Sequence, residues 1–374
     1  MGLIFKDMSS KESFIQAEIK MTIDDPLRKV IFEVGWPGDT WKYIVDRKIF
    51  AEKSEWLRAR LIGPWSPPPS DPPPIIILDQ LDKRGYDYLF KFFNGEKIIF
   101  SSVTTARATL DAAHYCLCPE VAKISSDYLI KNLTSSTVLE VYHGLNFYTI
   151  DNDYNNQNNT NLLSSPTDDL REIAVACTTL LAACLTVIDL NPDDVLSQEK
   201  FEELTAQEVV NLSSRDELRL TKESILFNAL DKWSGAECRR NGIEPTPFNK
   251  RSVLSDDTWF SVRYLLMSDK EFIQGPMTSG ILSSCESAAI VAKILGHNKN
   301  HQNEMLKNQS GIIRLSLMPR KRKSPVKYKY CMKPGKKERD DNKKNRRKEC
   351  ASQGQRACAR VGDIIIRVLA CVFD

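Results

Sequence analysis

The chain has 374 residues, a formal net charge of +3, 27% charged residues, ten cysteines and four histidines. That length accommodates two ordinary domains and a tail, and the composition is that of a soluble globular protein. Lys6, Asp7, Lys11 and Glu12 stand where a secretory leader would be apolar, so the cysteines are expected to be free thiols in a reducing compartment. Cys116 and Cys118 are one residue apart and have no nearby histidine pair, which is not a zinc spacing; neither a metal nor a cofactor is expected. The small net charge hides a split. Residues 319–349 hold 15 Lys/Arg against 4 Asp/Glu, a net of +11, which leaves −8 for the rest.

In chain order, a short helical patch over Phe14–Met21 ends at Asp24-Asp25-Pro26. Val30-Ile31-Phe32-Glu33-Val34 has strand composition, and Gly35, Pro37 and Gly38 mark a turn into a second strand over Trp41–Val45. Phe50, Leu57 and Leu61 recur at helical spacing, with Ser54 as a cap. The proline-rich stretch from Pro64 to Pro74 excludes helix interior and central strand, and Ile75–Leu78 then reads as a buried strand. Three helical stretches come next. The first carries Leu81, Tyr88, Leu89, Phe92 and Phe93 and closes at Asn94-Gly95; the second covers Thr104–Tyr115; the third starts at Pro119.

Residues 134–297 read as almost all helix. Val138–Tyr148 is predicted as one helix and the Asn-rich Asp151–Asn161 as a loop. The uncharged run from Ile173 to Ile188 is shorter than the ~20 residues a bilayer needs, so it reads as a core helix and not a membrane span. No Gly-rich phosphate loop or nucleophile–base pair can be found, and an enzyme is not expected. His114 reads as structural or solvated.

Two stretches resemble known families. Lys29–Leu61, with Val45–Ser54 and Ser54–Leu61 as its turn and helix, is similar to the opening of a BTB/POZ domain, and Thr104–Tyr115 through Pro119 is similar to its closing helical hairpin. Further on, Thr221-Lys222-Glu223 through Trp233 and Ala236-Glu237-Cys238 to Gly242 resembles a BACK domain. With Pro247–Leu254 and Val262–Met267, it resembles the BACK domain of BTB proteins that end in a PHR β-sandwich. No PHR-like segment is recognised after residue 297. The resemblance implies an α+β BTB/POZ domain over 27–133 after an N-terminal extension (1–26), then an all-α BACK domain over 134–297 and a low-order basic tail over 298–374.

It also implies a non-enzymatic adaptor, a homo- or heterodimer through BTB, that brings an unidentified substrate protein to a cullin-3 ubiquitin ligase. The docking surface carried over is Leu57, Leu61, Ile62, Tyr115, Val138 and Tyr142, with Tyr115 retained and Ile62 standing where the family has Glu; the alternative for Leu57 and Leu61 is that they are simply core. The family's charged pocket falls on Lys29, Asp46 and Arg47 with swapped polarity, and Lys29 is expected to pair with Asp46 at the surface. Arg320, Lys321, Arg322 and Lys323 fit a short nuclear-import signal, with polyanion contact or an inert tail as alternatives; sequence-specific nucleic-acid binding is not expected. The expected location is the cytoplasm, with nuclear import through the tail. The alternative functions are a scaffold or nuclear co-regulator that never engages cullin, and a truncated form that blocks full-length relatives.

Overall fold

The computed structural model describes residues 26–149, 168–296, 315 and 318–320. The expected helix over 14–21 and the loop over 151–161 lie outside these residues.

The chain folds around a hairpin. Strand β1 (Lys29–Trp36) pairs antiparallel with β2 (Asp39–Asp46), and β3 (Ile75–Asp79) adds in parallel on the other side of β1, giving the order β2-β1-β3. The turn needs glycine: Gly35 has φ +143°, and a Cβ there would strike the Asp39 carbonyl. Val30, Phe32 and Val34 alternate inward with Tyr43, Val45, Ile76 and Leu78, while Ile75 and Ile77 point out.

The connection from β2 to β3 carries two helices before the prolines, α1 (Arg47–Ala51) and α2 (Glu55–Ile62). Ser54 Oγ accepts from the Leu57 N–H and caps α2, as its position predicts. Helix α3 (Lys83–Phe93) packs against β1, α4 (Val103–Tyr115) against α3, and α5 (Pro119–Lys131) against α4, with Pro119 at the first helical position of α5. Phe90 centres this half: its ring lies 5.5 Å from Phe32, 4.8 Å from Tyr43 and 5.6 Å from Phe50. The Tyr43 and Phe50 contacts are edge-on, an arrangement worth about 0.5–1.5 kcal/mol per pair beyond burial.

The second half is helical, with one departure from expectation. Val138–Tyr148 is not one helix: α6 (Val138–Tyr142) stops, Gly144 takes φ +72°, and Leu145–Tyr148 forms a 3-10 turn. The Gly144 N–H points away from any helix and donates to Glu208 Oε1 at 2.7 Å, so a distant carboxylate holds the break open.

Helix α7 (Asp168–Leu190) is long and apolar enough to cross a membrane by length and composition alone. Here Ile173, Cys177, Leu180, Cys184 and Ile188 form one buried stripe, and α7 packs against α5, where Ser126 Oγ donates to the Ala176 carbonyl at 3.1 Å. Helices α8 (Pro192–Leu196) and α9 (Ala206–Ser213) lead to α10 (Glu223–Arg240). Helix α10 buries Leu226, Phe227, Leu230 and Trp233, with Trp233 Nε1 donating to the Leu204 carbonyl at 2.8 Å. Short helices α11 (Pro247–Ser252), α12 (Asp256–Trp259) and α13 (Asp269–Phe272) and the longer α14 (Ser284–Ile294) close around it. A single apolar core runs from Phe32 through Val138 and Trp233 to Ile290.

Candidate docking surface

Of the six docking residues expected by resemblance, four are interior. Leu57 and Leu61 lie one turn apart on the inner face of α2, and Val138 and Tyr142 do the same on α6; all four are buried. Only Ile62, 58% exposed, and Tyr115, 44% exposed, reach the surface.

Tyr115 ends α4 and meets the half-buried Trp56 of α2 edge-on, ring centroids 5.2 Å apart, with the buried Tyr86 ring 6.5 Å away on its inner side. One residue back, His114 stacks on Tyr148 at 4.0 Å, and Tyr148 comes directly after the exposed Phe147. The two sets of contacts tie the end of α4 to α2 through Tyr115 and to the turn after α6 through His114. Trp56 was not among the residues singled out from sequence. Its signal was present, since a helix that turns Leu57 and Leu61 inward leaves the neighbouring indole on its rim.

The Tyr148 side is held by Arg107. Its guanidinium is buried, donating from Nε to the Val141 carbonyl (3.2 Å) and from Nη2 to the His143 carbonyl (3.0 Å), and pairing with Asp111. Tyr148 lies over it at 5.5 Å and donates its hydroxyl to Asp111 Oδ1 at 2.7 Å. Burial disfavours the Arg107 charge, but Asp111 and Tyr148 outweigh it and leave its pKa raised. Helix α4 is therefore bolted to α6 and the turn after it.

Two histidines flank the bolt with opposite shifts. His143 Nδ1 lies 3.0 Å from Glu208, whose hydrogen bond raises the His143 pKa against a smaller burial effect. Burial lowers that of His114, with Asp111 opposing it and Arg107 reinforcing it. Burial works to raise the Glu208 pKa, but hydrogen bonds from His143 and from the N–H groups of Thr205 and Gly144 bring it below the ordinary value. Nothing in the arrangement makes a nucleophile: burial pushes the Cys118 thiol up to about 11 and Cys177 and Cys184 to about 12. Among the described residues no cluster of three His, Cys, Asp or Glu side chains could hold a metal ion.

The family model for BACK, "BTB And C-terminal Kelch", matches residues 172–243, which run from α7 to the end of α10. BTB/POZ domain-containing protein 6 from Xenopus tropicalis is 27% identical over 270 residues, 72% of this chain and 45% of the relative; the human protein of that name is 26% identical over 283 residues, 76% and 46%. The mouse BTB/POZ domain-containing protein 3 is 22% identical over 290 residues, 78% of this chain and 48% of the relative. These matches span both halves of the fold. The chain is a BTB–BACK protein. It spans about half the length of the curated relatives it matches.

Two expected features of this BTB–BACK chain need correction. The exposed Lys29–Asp46 ion pair is replaced by a buried arrangement. Asp46 is 2% exposed, takes its ion pair from Arg28 at 3.1 Å, and accepts from the N–H groups of Lys48 and Ile49 to cap α1. Lys29 stands opposite Asp46 in the hairpin register, and the carboxylate meets the neighbouring Arg28 while it caps α1. Arg47, also buried, donates to the Leu61 carbonyl (3.2 Å) and Ser66 Oγ (2.8 Å), and burial lowers its pKa. These groups knit α1 to the proline stretch rather than lining an open pocket.

The second correction concerns the import candidate: Arg320 is buried against Glu223, so it is not part of a solvated run. Lys321, Arg322 and Lys323 lie outside the described residues.

Proposed function

We propose that this BTB–BACK chain is a non-enzymatic, dimeric adaptor that docks cullin-3 and brings a substrate protein to its ubiquitin ligase. Such an adaptor performs no chemistry and acts by raising local substrate concentration. The supporting observation is the Trp56–Tyr115 pair: a half-buried and an exposed aromatic ring packed edge-on, backed by the buried ring of Tyr86. Rigid aromatic anchors at the centre of a patch supply most of the binding energy at protein interfaces. The buried Leu57, Leu61, Val138 and Tyr142 then position this patch instead of touching the partner.

The test is calorimetry of the full chain against the N-terminal domain of cullin-3, with Trp56→Ala and Tyr115→Ala alongside. Micromolar or tighter binding that each variant weakens at least tenfold supports the reading; absence of binding by the native chain overturns it. One observation favours a second reading, a dimeric scaffold or nuclear co-regulator without cullin: Ile62 presents an exposed apolar side chain where the resemblance calls for Glu. The location that accompanies the first reading is cytoplasmic. The second adds nuclear import, for which a fluorescent fusion of the full chain gives the readout.

A further inference from the structure

The Arg320 side chain is 5% exposed and every guanidinium N–H is spoken for. Nε and Nη2 meet the two oxygens of Glu223 at 2.8 and 3.1 Å. Nη1 donates to the carbonyls of Ser213 (3.3 Å) and Arg215 (2.5 Å), and Nη2 also donates to the Ser261 carbonyl (3.1 Å). A guanidinium has five N–H donors, and these are five bonds. The acceptors come from three places in the fold: the end of α9 and the residues after it, the first turn of α10, and the segment before Tyr264.

The same site holds the backbone that delivers the arginine. Arg263 Nη1 donates to the Met318 carbonyl at 2.8 Å, its guanidinium also pairs with Asp216, and its backbone N–H donates to Glu223 Oε2 at 3.2 Å. Pro319 lines the adjoining cavity beside Leu218, Leu220 and Leu266. A planar fork with two faces of donors fits this set of acceptors, and a lysine ammonium does not.

We propose that the BACK domain carries an arginine-binding site whose ligand is a peptide with a Pro-Arg pair, occupied here by the chain's own Met318-Pro319-Arg320. The site is independent of cullin docking. While it is filled, the basic run offers an import receptor or a polyanion only the residues C-terminal to Arg320.

Limited trypsin digestion of the full native chain, read by intact mass, tests occupancy with the neighbouring bonds as internal controls. Cleavage after Arg320 is expected to be at least tenfold slower than after Lys321, Arg322 or Lys323, and Glu223→Gln is expected to abolish the difference. Ligand class is tested with a labelled Leu-Ser-Leu-Met-Pro-Arg-Lys peptide monitored by fluorescence polarisation. It should bind the full-length Arg320→Ala protein at least tenfold more tightly than the native chain, and a Pro-Lys version should bind at least tenfold more weakly. Equal cleavage at all four bonds of the native chain overturns the proposal. So does a peptide that binds native and Arg320→Ala chains alike, or binds neither.

Discussion

Arg107 Nε lies 3.2 Å from the carbonyl oxygen of Val141, 34 residues further along the chain. That bond joins α4 to α6, and the same guanidinium reaches the His143 carbonyl and Asp111. Removing the guanidinium strands the carbonyls it serves, while Asp111 is part-exposed and keeps water, so the loss is about 1–3 kcal/mol. Arg107→Ala should lower stability by that amount in urea unfolding. Arg107→Lys should recover little, since one ammonium cannot replace a fork that spans two carbonyls and a carboxylate. Full recovery by lysine would show that charge alone matters.

The His143–Glu208 pair gives stability a pH dependence of known sign. The His143 pKa is raised from 6.5, so its contribution is complete below that value and fades as pH rises through the folded value. The Glu208 pKa is lowered from 4.5, so its contribution is complete above that value and fades as pH falls through the folded value. The pair therefore stabilises most between about pH 4.5 and 6.5. Because His143 is about half exposed, screening holds the pair to ~1 kcal/mol or less. The melting-temperature gap between native chain and His143→Ala should be wider at pH 5.5 than at 8.5; His114, whose shift is opposite, is common to both proteins and cancels. A gap that does not change with pH contradicts this sign.

Trp233 combines bulk with a hydrogen bond. Trp233→Ala should cost about 3–5 kcal/mol through the cavity it leaves. Trp233→Phe keeps most of the volume but strands the buried Leu204 carbonyl, a penalty of about 1–3 kcal/mol. Denaturant midpoints in the order native, Phe, Ala would fit. A Phe variant as stable as the native chain would show the hydrogen bond to be dispensable.

Gly85 lets α3 lie directly on α4, for a Cβ there would run into the Ala108 carbonyl oxygen and the Thr109 nitrogen. Helix propensity favours alanine at this position by about 0.8–1.0 kcal/mol, yet overpacking of this kind typically costs about 1–3 kcal/mol. Gly85→Ala should therefore destabilise, and a rise in thermal midpoint would mean that the two helices separate easily.

The sheet and its covering helices were legible because their signals are local. Strand composition and the Gly-Pro-Gly turn marked β1 and β2, Ser54 announced α2, and Pro119 opened α5. The features that were not legible depend on contacts far along the chain. Gly144 breaks a predicted helix because Glu208, 64 residues away, takes its N–H. Asp46 was matched to the lysine across the hairpin, but the two N–H groups at the start of α1 were nearer claimants. In the candidate docking surface, helical spacing marked Leu57 and Leu61 as inward-facing, and it was the carry-over by resemblance that placed them on the surface instead of Trp56. Arg320 sat in a run of basic residues whose composition suggested solvent, and its acceptors are 59 to 107 residues distant.

Helix α7 bears on how the chain is made. Its sixteen uncharged residues, 173–188, would look to membrane-insertion machinery like a greasy segment, and the hydroxyls of Thr178, Thr179 and Thr186 do little to mark it otherwise, turned as they are onto carbonyls of their own helix. Synthesis runs from the N-terminus, so α5, the surface that covers the buried stripe, leaves the ribosome first. The segment emerges with its shelter already in place. A rearranged gene that placed α7 ahead of α5 would deliver the same residues naked, with aggregation or misdirected insertion as the expected fate.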